Sequence, residues 1–363
     1  MDYRRRQADL RPLLHANRLD ALLLSHLPNI RYLCGFTGSA GALLVTEAGA
    51  VFFADGRYGT QAQAEVQGAR ILAATQAPLL SAAEWLRSRR RGSRKAFRVG
   101  VESEHLSAAS QTRLQKALPA GVKLSSSEAL VERARMIKEG DELETLRAAA
   151  KLGAALFERI KQCLRPGIAE LTVAAEIEYA AMLSGAESMS FPTIIASGAR
   201  SALPHGRAST HPVPPHGFVV CDFGVILGGY CSDMTRTLCV GQPSEQARQV
   251  YEAVREAQQA AVDAVRPGRK VGEVDQAARK LLQKNKLGRY FTHSTGHGVG
   301  LEIHEAPRLA AGQQEVLRPG MVITIEPGVY LPGKFGVRIE DMVLVTDHGA
   351  EVLTPASKEL VTV

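Results

Sequence analysis

Residues 291–304 read Phe291-Thr-His-Ser-Thr-Gly-His-Gly-Val-Gly-Leu-Glu-Ile-His304. The stretch holds three of the chain's ten histidines, His293, His297 and His304, and alternating glycines at Gly296, Gly298 and Gly300. Histidines four apart on a helix would suggest a zinc-protease pair. Here no Glu follows His293, and a helix interior so rich in glycine is costly. An irregular or extended backbone fits better, with the imidazoles projecting into a crowded site. Taken alone, the stretch also reads as a glycine-rich loop with surface histidines.

The acids on either side of it weigh against that plain reading. Upstream, residues 219–238 read as a hairpin turning at Gly228-Gly229. With those two glycines in the turn, Asp222 faces Thr235, and Asp233 lies diagonally from Asp222 on the same face. Two carboxylates aimed at one point repel unless a cation sits between them. Downstream, Glu326-Pro-Gly-Val329 echoes Asp222-Phe-Gly-Val225, and Glu340-Asp-Met342 echoes Asp233-Met234. The echo reads as a weak internal repeat, two half-sites facing each other. Four carboxylates with His297 as a fifth ligand make a hard, mostly oxygen site. Such a site suits Mn²⁺, with Co²⁺ or Zn²⁺ as substitutes, and its charge calls for two metals.

Around this core the chain of 363 residues is long enough for two domains. Its 45% hydrophobic and 22% charged residues are ordinary for a soluble globular protein. No apolar run approaches a membrane span, and the polar start does not resemble a signal peptide. Five scattered cysteines without CxxC spacing read as free thiols in a reducing cytoplasm. The net charge of +7 and the arginines of the 87–94 run suggest a solvated helix end rather than a nucleic-acid site, because no aromatics interleave.

In chain order, a helix is predicted over 5–17, a strand over 19–25, a turn-rich segment over 29–41 and a hairpin over 42–54. Further α/β alternation makes residues 1–130 an α/β domain. The second domain, 131–363, starts with a helix whose capping box places Asp141 at the N-cap and Glu144 three residues on. Further helices are predicted at 171–183, 244–266 and 272–286, and strands at 193–196, 322–326 and 336–345.

These motifs resemble the pita-bread metallopeptidases, specifically the aminopeptidase P/prolidase branch. The matching residues are Leu203-Pro-His205-Gly, Asp222-Phe-Gly, Ser232-Asp233-Met-Thr-Arg, His293 to Glu305, Ile325-Glu326-Pro-Gly and Val337-Arg338-Ile-Glu340-Asp. The resemblance implies an α/β creatinase-like N-terminal domain followed by an α+β pita-bread catalytic domain. It implies that Asp222 binds one metal, that His297 and Glu326 bind the other, and that Asp233 and Glu340 bridge them. A metal-bridging hydroxide would attack the peptide bond before a proline in second position. His205 and His304 would contact substrate and intermediate, His293 would line the proline pocket, and Glu326 would also handle the proton. Arg338 would hold the carboxylates in place, and Arg308 sits where prolidases place a carboxylate-binding arginine. A homodimer acting on peptides, without nucleic acid or membrane, is also implied.

Within the branch, Gly35-Phe-Thr-Gly-Ser-Ala-Gly41 and Asp55-Gly-Arg-Tyr58 look more like short bacterial Xaa-Pro aminopeptidases. The expectation is therefore an Xaa-Pro aminopeptidase, with an Xaa-Pro dipeptidase (prolidase) as the alternative. A methionine aminopeptidase or a non-catalytic pita-bread binding protein ranks lower.

Overall fold

The structure, a computed structural model, describes residues 1–90 and 95–363. It divides into two units, Met1–Arg135 and Met136–Val363.

The first unit runs α1 (Tyr3–Ala16), β1 (Ala21–Leu24), α2 (Leu27–Cys34), β2 (Gly41–Thr46), β3 (Gly49–Ala54), α3 (Gly59–Glu65), β4 (Ala69–Ala73), α4 (Pro78–Arg89), β5 (Phe97–Glu102), α5 (Ala108–Ala117), β6 (Val122–Ser127) and α6 (Leu130–Arg135). Its mixed six-stranded sheet has the order β4-β3-β2-β1-β5-β6. The turn-rich reading of 29–41 needs correction, because α2 occupies most of its first half. Pro28 sits in the first turn, where its missing N–H costs nothing, and Gly35 ends the helix at φ +83°. Of the arginine run, Arg87 and Arg89 lie exposed in the last turn of α4, while Arg91 and Arg94 lie outside the described residues.

The second unit continues with α7 (Gly140–Cys163), α8 (Glu170–Leu183), β7 (Ser188–Met189), β8 (Ile194–Ser197), β9 (Gly217–Phe223), β10 (Val225–Leu227), β11 (Tyr230–Cys231) and β12 (Met234–Val240). Then come α9 (Glu245–Ala264), α10 (Val271–Lys284), β13 (Gly296–Gly298), β14 (Glu305–Leu309), β15 (Val322–Ile325), β16 (Gly328–Leu331), β17 (Phe335–Arg338), β18 (Asp341–Val345) and β19 (Ala350–Val352). The capping box at the start of α7 is present but shifted. Glu139 is the N-cap and Glu142 reaches back to it, so Asp141 lies two residues too deep to cap.

Two matching halves build this unit. In one, α7 and α8 cover the sheet β12-β9-β8. In the other, α9 and α10 cover the sheet β14-β13-β15-β18-β19. Strand alternation sorts the side chains. Val219, Cys221 and Phe223 of β9 enter the first helix-covered core, so Asp222 points the other way. Ile323 and Ile325 of β15 and Val343 and Val345 of β18 enter the second core, so Glu326 and Glu340 take the opposite face. The acids thus end up on the faces turned away from both helix pairs.

The first hairpin has the predicted register, with Asp222 opposite Thr235 and glycines at φ +55° and +82° in its turn. The second hairpin has a different register. Its partners follow Ile325↔Asp341 and Gly328↔Arg338, which puts Glu326 directly opposite Glu340. The strand expected over 336–345 is also broken, between Arg338 and Asp341. Both hairpins change sheets at their acids, the first at Gly224 and Asp233, the second at Glu326 and Glu340. Gly224 is required there, because a Cβ would strike the Ser232 carbonyl.

Candidate metal centre

A cavity of about 560 Å³ opens in the second unit. All ten residues singled out from the sequence line it: His205, Asp222, Asp233, His293, His297, His304, Arg308, Glu326, Arg338 and Glu340. Its remaining wall is largely apolar, from Phe191, Pro192, Ile194, Pro204 and Ile303.

The acids sit deep. Asp233 is 5% exposed and Glu340 2%. Ligand atoms of Asp233, His297 and Glu340 lie within 4.8 Å of one another. His297 Nε2 is 3.6 Å from Asp233 Oδ2 and 3.6 Å from Glu326 Oε1. The backbone of β13 sets this imidazole. Its N–H donates to Thr324 Oγ1, and the His297 ring Nδ1 lies 2.9 Å from the Gly298 carbonyl. A carbonyl only accepts, so Nδ1 carries the proton and Nε2 turns a lone pair toward the acids. Burial pushes the His297 pKa down to about 4, which keeps the ring neutral.

Burial, and then the charges of Asp222 and Glu326, push Asp233 well above the usual carboxylate range. Burial, and then Asp233, Glu326 and Asp222, do the same to Glu340. Glu326 is raised to about 8 by burial, with Arg338 opposing and Asp222 adding to the rise. Asp222 Oδ1 is buried with no hydrogen-bond partner. A neutral imidazole lone pair, crowded carboxylates and an orphaned oxygen all converge on one cavity. Such a donor set fits divalent cations, which would take those lone pairs and relieve the repulsion.

Arg338 organises the back of the centre. It donates through Nη2 to Asp222 Oδ2, through Nε to Thr235 Oγ1 at 3.1 Å, and through Nη1 to Tyr330 Oη at 2.6 Å and the Pro204 carbonyl at 3.0 Å. Burial works against its charge, yet Tyr330, Asp222 and the glutamates hold its pKa well above the ordinary value. Thr235 passes the arrangement on, donating to Glu340 Oε2 at 2.7 Å. His293 is fixed at both nitrogens, by the Ser294 carbonyl and by Tyr330 Oη at 2.9 Å. Burial, and then Arg338, push its pKa down to about 4. His205 and His304 are exposed at the cavity. Burial and the neighbouring His205 lower the His304 pKa.

Behind the first hairpin, Arg236 Nη2 meets Asp341 Oδ1 at 2.6 Å, and Nη1 donates to the Thr235 and Glu340 carbonyls. This buried pair ties β12 to β18 and so holds the two half-sites together. Sequence reasoning missed Tyr330, Thr235 and Arg236 as supports. The signal for two of them was present, since Thr235 faces Asp222 in the predicted register and Arg236 follows it. Tyr330 carries no motif that points to a site.

Residues 144–347 match Metallopeptidase family M24, and residues 6–137 match the Creatinase/Prolidase N-terminal domain. A solved structure of an Xaa-Pro dipeptidase from Bacillus anthracis superposes with a TM-score of 0.95 at 39% identity, covering 100% of both chains. An Xaa-Pro dipeptidase of Pyrococcus furiosus is 47% identical over 226 residues, 62% of this chain and 65% of its own length. An X-Pro aminopeptidase structure from Thermotoga maritima superposes with a TM-score of 0.89 at 32% identity, covering 98% and 99% of the two chains. The chain belongs to metallopeptidase family M24, a metal-dependent hydrolase with a creatinase-type α/β N-terminal domain and a pita-bread catalytic domain.

Proposed function

We propose that the protein is an Xaa-Pro dipeptidase that uses two divalent ions, with Mn²⁺ as the native metal. The convergence of Asp222, Asp233, His297, Glu326 and Glu340 on one cavity carries this reading. The oxygen-rich donor set supports Mn²⁺, with Co²⁺ or Zn²⁺ as substitutes. Bound there, such ions would polarise a carbonyl and acidify a water.

The chain's own residues do the rest. Thr235 and Arg338 hold Glu340 and Asp222 in place, and ordered supports of this kind govern metal affinity. His205 and His304 are free to hydrogen-bond the substrate around the scissile bond. Phe191, Pro192, Ile194 and Ile303 supply an apolar wall suited to a pyrrolidine ring. The bond before proline is a tertiary amide without an N–H, so shape must replace hydrogen bonding in its selection. His293, locked by Tyr330, lines the same cavity.

The sequence favoured an aminopeptidase for longer peptides. The dipeptidase names of the Bacillus anthracis and Pyrococcus furiosus relatives support the other choice. Arg308 at the cavity agrees with it, as a cation for the carboxylate that follows proline in a dipeptide. The Thermotoga maritima structure supports the aminopeptidase as a second reading. Hydrolysis of Ala-Pro against Ala-Pro-Ala with Mn²⁺ separates the two. A dipeptide preference supports the proposal, and faster cleavage of the tripeptide overturns it. The family likeness supports a homodimer, and the five unpaired cysteines suit a reducing cytoplasm.

A further inference from the structure

Arg308 is not alone at the cavity. Arg207, two residues after His205, lines it as well, from a different segment of the chain. Both side chains are exposed, and among the described residues neither guanidinium has a hydrogen-bond or ion-pair partner. The other arginine of the cavity, Arg338, is fully committed to Asp222, Thr235, Tyr330 and Pro204.

The segment that carries Arg207 is built to stay still. Arg200 Nη2 donates to the Arg207 carbonyl at 2.8 Å, and the Arg207 N–H donates to the His205 carbonyl at 2.9 Å. Arg200 is itself held by Glu170, 3.0 Å from its Oε2. Glu170 is 0% exposed and also accepts from Ser197 Oγ and Ser209 Oγ, each at 2.8 Å. With the Ser197 N–H as a further donor, a buried carboxylate held by four donors is a costly device unless the loop must hold its shape. That loop delivers His205 and Arg207 to the same cavity.

Charge balance says what the two arginines face. Four carboxylates against two divalent ions cancel. Glu305 of the cavity is taken by the buried Lys138, 3.0 Å away. Two uncommitted guanidiniums then leave the cavity positive, and a positive cavity attracts an anion. Guanidinium is the group best matched to a carboxylate.

We propose that Arg207 is a second binding residue for the free carboxylate of a dipeptide, working together with Arg308. The inference rests on the dipeptidase reading above and extends it. Arg207 selects for short substrates by the anion they carry, from the wall that also presents His205. Its guanidinium makes no hydrogen bond or ion pair with the metal ligands, Thr235 or Arg338.

The test uses the Mn²⁺-loaded enzyme and Ala-Pro as substrate, with wild type, Arg207→Gln and Arg207→Lys compared. Losing a charge-assisted hydrogen bond should raise KM about 10-fold or more, with kcat changing far less. Arg207→Lys should recover part of the loss, because it keeps the charge without the planar fork. Metal content measured on the same samples should stay at the wild-type value. A KM for Arg207→Gln within about 2-fold of wild type, or a loss confined to kcat, overturns the role of Arg207 while leaving the dipeptidase reading intact. A loaded wild type that does not hydrolyse Ala-Pro overturns both.

Discussion

His297 turns an unprotonated Nε2 toward Asp233 Oδ2 at 3.6 Å, its Nδ1 proton already given to the Gly298 carbonyl. Lone pair facing lone pair is repulsive, and a divalent ion turns it into coordination. His297→Ala is therefore expected to lose bound metal. His304→Ala is expected to keep its metal and lose rate, because His304 lines the cavity from its exposed side. Elemental analysis beside a rate assay reads both. Full metal content in His297→Ala would contradict the ligand assignment.

Arg338 gives a second prediction. Arg338→Ala strips donors from Asp222, Thr235 and Tyr330 at once. Breaking one partner out of a buried ion pair costs about 3–5 kcal/mol. Arg338→Lys should rescue little, since one ammonium cannot reach partners set around a planar fork. Chemical denaturation measures the loss, and a variant within about 0.5 kcal/mol of wild type would show that the pair is not structural.

The metal-free protein should respond to pH in a defined direction. Glu326 is raised to about 8 in the folded chain, against roughly 4.3 for an unfolded glutamate. Between those values the folded state binds the extra proton, so stability falls as pH rises. Asp233 and Glu340 are raised and act in the same sense. His293 and His297 are lowered to about 4 and act oppositely, but only below about 6.5, where an unfolded histidine takes up its proton. From about pH 6.5 to 8 the carboxylates prevail, at on the order of 1 kcal/mol per pH unit per group. Melting in the presence of a chelator should show Tm falling across that window, and Glu326→Gln should flatten the trend. A Tm that rises instead would contradict it.

Gly296 tests the backbone of the histidine stretch. A Cβ there would strike the Thr324 carbonyl oxygen of the neighbouring strand β15. Gly296→Ala should cost about 1–3 kcal/mol as an overpacked contact, and it should weaken metal binding by displacing His297. Gly140→Ala, where nothing lies within 4 Å, serves as the tolerated control.

These sites show how far the sequence could be read. The register of Asp222 against Thr235 was legible because two turn glycines fix a hairpin arithmetically. The second hairpin has equal arms of six residues on either side of its Pro332-Gly333-Lys334 turn, so Glu326 and Glu340 meet face to face, whereas the shorter return arm of the first hairpin leaves Asp222 and Asp233 diagonal. Helix α2 was hidden because Pro28 and Gly35 read as breaks, although a proline at the start and a glycine at the end also frame a helix. Tyr330 was invisible for another reason. Its role lies in one hydroxyl shared by His293 and Arg338, a contact made only after folding. The choice between dipeptidase and aminopeptidase turned on N-terminal segments, while the relatives' names favour the alternative.

The central claim is that these five side chains hold metal for the cleavage of an Xaa-Pro bond. Its most direct test is Ala-Pro hydrolysis by the same preparation before stripping, after exhaustive chelation, and after Mn²⁺ is restored. The account predicts loss of activity on stripping and its return with metal. Undiminished hydrolysis by metal-free protein would contradict it.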